Sequence, residues 1–144
     1  YSRDQILASF KSHKLLKEGV VYLKQYKTDI LLVTLSKTEK DYSEKTMYND
    51  YSISDSLFHW QSQNQTSQDS ETGKRYINQK SSSNNILLFV REFKEDSLGT
   101  QPYTFLGKAE HEWHSGNKPM SVIWKLEKPI PAKFIKKTSK MLAM

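Results

Sequence analysis

With 144 residues, 36 % of them hydrophobic and 26 % charged, the chain has enough apolar side chain for one core and is read as a single domain, 1–144. It has no cysteine, which excludes disulfide staples, thiolate metal sites and a cysteine nucleophile. No apolar run approaches the ~20 residues needed to span a bilayer, so no membrane partner is expected.

The net charge is +6, and Lys118 to Met144 carries seven lysines against one acid, Glu127, so this tail equals the whole excess. Such a balance favours a polyanion. The opening Tyr1-Ser2-Arg3-Asp4 has neither an initiator Met nor a signal-like apolar stretch, so the expectation is a domain of a longer cytoplasmic polypeptide.

Ser2 with Gln5 three residues on has capping-box spacing and predicts a short helix that buries Ile6, Leu7 and Phe10. Gly19–Tyr26 and Asp29–Leu35 are β-branched and aromatic and read as a hairpin. The second strand is apolar on consecutive residues, which calls for cover on both faces. Ser36–Lys45 is a charged loop, and Ser52-Ile53 a brief edge strand. Leu57–Gln63 reads as a strand with Leu57, His59, Gln61 and Gln63 on one face and Phe58, Trp60 and Ser62 on the other. Ser70 or Thr72 can cap a short helix through Tyr76, although Gly73 weakens that helix.

Ile86–Phe93 is the clearest strand, followed by a turn at Asp96–Pro102 and strands at Tyr103–Ala109 and Met120–Leu126. Pro131 then opens a helix with Phe134, Ile135, Met141 and Leu142 on one side and Lys133, Lys136, Lys137 and Lys140 on the other. Six or so short strands with a helix at each end predict an α+β fold, a small, mainly antiparallel β-barrel.

The chemistry concentrates between Tyr48 and Tyr76. No Lys or Arg lies between Lys45 and Lys74, while Gln, Asn, Ser and Thr crowd the stretch around Phe58-His59-Trp60. Amides make bidentate contacts to base edges, and aromatic rings stack on splayed bases. The expected base-contacting set is Tyr48, Tyr51, Phe58, His59, Trp60, Gln61, Gln63 and Asn64. Lys74, Arg75, Tyr76, Arg91, Lys133, Lys136 and Lys137 are the expected phosphate contacts.

His111 and His114 have an H-x-x-H spacing. On a strand or loop this turns the two side chains to opposite or irregular faces, so they read as turn histidines and no metal is expected. There is no phosphate-binding loop or dinucleotide fingerprint, and no cofactor or catalytic residue is expected.

The strings TMYNDYSISDSLFHWQSQN, TSQDSETGKRYINQK, ILLFVREFK, PYTFLG and KPMSVIWKLEKPIPAK resemble the uncharacterised domain at the C-terminal end of bacterial DEAD/DEAH-type superfamily II helicases. Those proteins often carry a phospholipase-D-like nuclease domain as well. The resemblance implies a non-catalytic DNA-binding module of PUA/SRA-like architecture. Its partners would be DNA, modified or foreign, and the helicase and nuclease domains of the same polypeptide, in a restriction or defence setting. The alternative it leaves is a protein-interaction or regulatory module docking on the helicase core.

Overall fold

The structure, a computed structural model, describes residues 1–9, 19–36, 50–93, 95–97 and 99–135. Helix α1 spans Arg3–Ser9. Its capping box closes reciprocally: the Gln5 amide donates to Ser2 Oγ at 3.1 Å and the Ser2 amide to Gln5 Oε1 at 2.9 Å. Strand β1 (Val20–Leu23) runs through a 3-10 turn into β2 (Thr28–Ser36) as an antiparallel hairpin. Next come β3 (Tyr51–Ser52), β4 (Leu57–Gln61), helix α2 (Glu71–Ile77) and β5 (Asn85–Phe93). A two-strand hairpin follows, β6 (Glu95–Asp96) and β7 (Gly99–Thr100), and then β8 (Thr104–Ser115) and β9 (Ser121–Leu126). Residues 132–135 add a helical turn.

Seven strands form one sheet in the order β1-β2-β5-β8-β9-β4-β3, with β6 and β7 apart. The β2–β5 pair is parallel and its other neighbours are antiparallel. The fold is thus α+β with an open mixed sheet, rather than the barrel expected from the strand count. The reason lies in β2 and β5. Both are apolar enough to sit centrally, and their parallel pairing requires β3, β4 and α2 to be carried across between them. Strands β4 and β3 then extend the far side of the sheet to an edge of its own.

Alternation assigns the core. On one face Leu31, Val33, Leu35, Ile86, Leu88 and Val90 join Phe58, Trp60, Val122, Trp124 and Tyr76 of α2. On the other face Ile30, Leu32 and Phe89 join Val21, Leu23, Tyr103 and Ile6 of α1. Strand β2 is therefore covered on both sides, as its unbroken apolar run demands. The Trp60 ring meets Tyr76 edge-on at 5.3 Å, and Trp124 lies 6.1 Å from Trp60 and 6.0 Å from Tyr76. Edge-on pairs of this kind add about 0.5–1.5 kcal/mol each beyond the area they bury.

Two features seat α2. Ser70 Oγ accepts from the Gly73 amide at 3.0 Å, which makes Ser70 the cap. A Cβ on Gly73 would overlap the Ser67 carbonyl oxygen and crowd Met120 Sδ. The glycine that weakens the sequence signal for a helix is what lets this helix approach so closely.

Candidate nucleic-acid interface

Strand β4 is regular. Phe58 and Trp60 point into the core, with 0 % and 4 % exposure, while Leu57, His59 and Gln61 point outward and are half-buried. The residues that crowd together in sequence are thus divided between two faces. Only the outer set reaches solvent.

The register carries the outer set across four strands. Tyr51 of β3 pairs with His59 of β4, His59 with Ile123 of β9, and Ile123 with Trp113 of β8. Directly paired residues share a face, so Tyr51, His59, Ile123 and Trp113 form one row. Tyr51 and His59 stack at 4.7 Å with an interplanar angle of 17°. Trp113 is 48 % exposed. A second row runs beside it through Gln61, Ser121 and Ser115, with Gln61 Nε2 donating to Ser121 Oγ at 3.3 Å. On the other side Leu57, Lys125 and Glu110 form a third. Among the described residues neither α1 nor α2 covers this half of the face. Helix α1 packs in the cluster on β1, β2 and β5, and Tyr76 places α2 behind Trp60 and Trp124.

Trp113 owes its position to a bulge between His111 and Trp113. The extra residue, Glu112, shifts the alternation, so that Trp113 turns out and His111 and His114 both turn in. His111 Nε2 and His114 Nδ1 lie 2.8 Å apart and share a hydrogen bond. The H-x-x-H spacing therefore does not separate the two histidines, as a regular strand would. Burial, then the His114 and Lys80 charges, hold the His111 imidazole below its ordinary pKa. Among the described residues no three His, Asp or Glu side chains converge as a metal site.

At the sheet edge the Gln61 amide donates to Asp50 Oδ1 at 2.9 Å. Burial pushes the Asp50 carboxyl up to about 7, against the lowering effect of that hydrogen bond.

The expected phosphate contacts separate. Arg75 makes a bidentate pair with Asp29, Nε to Oδ2 at 2.7 Å and Nη2 to Oδ1 at 2.8 Å. Asn84 Nδ2 adds a third bond to Asp29 at 2.9 Å, and the Arg75 guanidinium lies 3.7 Å over the Tyr22 ring. Desolvation opposes the charge on Arg75, but the Asp29 hydrogen bonds and charge outweigh it and raise its pKa. This guanidinium is spent on holding α2 to β2. It lines a cleft of about 350 Å³ with Lys27, Lys74, Asn78 and Ser82.

Tyr76 is fully buried, and burial, with the Asp29 charge, raises its pKa so that it stays a neutral phenol. Lys74 and Lys133 are exposed, and the Lys133 ammonium sits 4.9 Å from the Phe134 ring centre. Gln63 is half-buried and Asn64 exposed in the loop after β4. Arg91 lies on the opposite face of the sheet from Arg75. Tyr48, Lys136 and Lys137 lie outside the described residues. Sequence reasoning did not place Trp113 in the site. The Glu110-to-Glu112 flank reads as polar loop, and only the bulge exposes the ring.

A family model described as Domain of unknown function (DUF3427) matches residues 1–137. The chain belongs to this family. No curated protein matches it. The family description assigns no activity, so the reading of a DUF3427 site rests on the geometry above. No helix among the described residues is long and apolar enough to cross a membrane.

Proposed function

We propose that this DUF3427 domain is a non-catalytic DNA-binding module that receives unstacked bases on the outer face of β3, β4, β9 and β8. The observation that supports it is the in-register row Tyr51, His59, Ile123 and Trp113, flanked by the amide of Gln61. Flat rings spaced across adjacent strands offer successive stacking sites, and each base–aromatic stack is worth about 1–3 kcal/mol. Gln61, Gln63 and Asn64 supply groups that read base edges, and the net charge of +6 favours the phosphate backbone. Phe58, Trp60 and Tyr76 take no part, because their rings belong to the core. The resemblance to helicase-attached domains gives the setting. The module would hold modified or foreign DNA for helicase and nuclease domains of the same polypeptide, in restriction or defence.

The test is fluorescence anisotropy of labelled single-stranded, double-stranded and base-modified DNA, at two salt concentrations. Trp113→Ala and His59→Ala should each weaken binding by roughly 5- to 100-fold, the range that one lost stack spans. Binding no tighter than to a generic polyanion, with both variants silent, would rule the platform out. Capture of the helicase core by the same face, lost in Trp113→Ala and without DNA affinity, would assign the face to a protein contact instead.

A further inference from the structure

On the β2–β5 half of the same face, Arg91 is a buried cation that has no counterion among the described residues. Its residue is 5 % exposed. Nε donates to Thr34 Oγ1 at 2.9 Å across the parallel β2–β5 pair, and Nη1 to the Gln101 carbonyl at 3.1 Å. The guanidinium stacks 4.3 Å from the centre of the Tyr103 ring. Among the described residues no carboxylate pairs with it, and Nη2 has no hydrogen-bond partner. Buried charges are ordinarily paired, as Arg75 is with Asp29 in this same protein.

Arg91 opens onto a pocket of about 360 Å³ lined also by Ser2, Arg3, Asp4, Thr100, Gln101 and Tyr103. Arg3 Nε approaches the Tyr103 hydroxyl at 3.4 Å. The pocket is braced. Gln101 Oε1 accepts from the Glu92 and Phe93 amides at 3.0 and 2.9 Å, which ties its wall to β5. Asp4 contributes the one lining carboxylate and is exposed.

We infer that this pocket binds a phosphoryl group, with Arg91 as the buried anchor and Arg3 as the second cation. Nε and Nη1 each already donate one bond, which leaves three of the five N–H groups of Arg91, both on Nη2 among them. The three oxygens of a phosphoryl group take donors from diverging directions, and Arg3, Ser2 and Thr100 line the same pocket as Arg91. The volume exceeds that of a bare phosphate and leaves room for the group that bears it. The phosphoryl group can belong to a free mononucleotide or to the 5′ end of a DNA strand.

The inference does not rest on the outer-face platform, which occupies the β8, β9, β4 and β3 half of the same face. The test is thermal unfolding and calorimetric titration of the wild-type domain with inorganic phosphate, with nucleoside 5′-monophosphates, and with one oligonucleotide carrying either a 5′-phosphate or a 5′-hydroxyl. Phosphate should raise Tm by a few degrees beyond chloride at matched ionic strength, since a ligand that binds only the folded state stabilises it. Arg91→Met and the milder Arg3→Gln should each remove that increment, while Trp113→Ala retains it. Tighter binding of the monophosphates than of the 5′-phosphorylated strand identifies a nucleotide pocket; the reverse order identifies an end-binding one. An equal Tm increment in wild type and in a folded Arg3→Gln, or no increment over chloride, would overturn the inference.

Discussion

Four residues show how much depends on a single side chain here. Arg75 and Asp29 form a buried pair in which each neutralises the other. Removing one partner strands a charge, a loss of about 3–5 kcal/mol. Arg75→Ala should therefore lower stability by that amount in denaturant unfolding, and the double variant Arg75→Met with Asp29→Leu should recover most of it. Gly73→Ala should destabilise by more than about 2 kcal/mol, although alanine is the better helix former by about 1 kcal/mol, because the added Cβ meets the Ser67 carbonyl. Asp50 gives a pH signature. Its folded pKa of about 7 stands above the unfolded value of 3.8, so between these limits the folded state holds the extra proton. Stability then falls as pH rises through that window. Asp50→Asn keeps an acceptor for the Gln61 amide and removes the charge. Its melting temperature should exceed that of wild type at pH 8 and match it at pH 4.

At the scale of elements, β8 repays attention because its bulge takes up one inserted residue and keeps the identity of two faces. Deleting Glu112 would remove the bulge and leave His111, Trp113 and His114 alternating in, out, in, so both faces keep their residues. Retained DNA affinity together with a retained shared imidazole proton, seen by NMR, would check this. The histidine pair also titrates with a definite sign. The folded pKa of His111 lies below its ordinary value, so its neutral form contributes stability that is present above the unfolded pKa and lost as pH falls through the window beneath it. Wild type should lose more stability than His114→Asn between pH 7 and 5, measured by urea unfolding.

The contrast between β4 and β8 explains what was legible in the sequence. In β4 the alternation is regular, so the split of Phe58 and Trp60 from His59 and Gln61 could be read directly, as could the helix capped at Ser2, while the second cap was open between Ser70 and Thr72 until the structure gave Ser70. Bulges have no alternation signature, so Trp113 and the paired histidines were not readable. Arg75 and Arg91 look alike in the chain. Their separation depends on Asp29 and Thr34, distant residues that only the sheet register brings to them.

For the whole molecule, one face of the sheet carries different chemistry on its two halves. The outer face of β3, β4, β9 and β8 carries rings and amides, and the pocket at Arg91 lies beneath α1 on the β2–β5 half. The bulk charge of +6 acts on both. Affinity for DNA should therefore fall linearly with the logarithm of salt concentration, with a slope of about 0.7–0.9 per phosphate contacted. Trp113→Ala should lower affinity without changing that slope, whereas replacement of an exposed lysine such as Lys125 should reduce it.

The parallel pairing of β2 with β5 has a consequence for how the chain reaches this state. It aligns Thr28 with Asn85 and Ser36 with Phe93, so the middle of the sheet cannot zip from a turn. The ends of a long loop must meet before the most buried contacts can reward the lost chain entropy. Such non-local topologies fold in milliseconds to seconds rather than microseconds. Until β5 docks, β2 exposes an apolar strand edge, and the hairpin with β1 guards only one side of it. Mutations that weaken β5 should therefore show first as aggregation during refolding, before any loss of native stability is measurable.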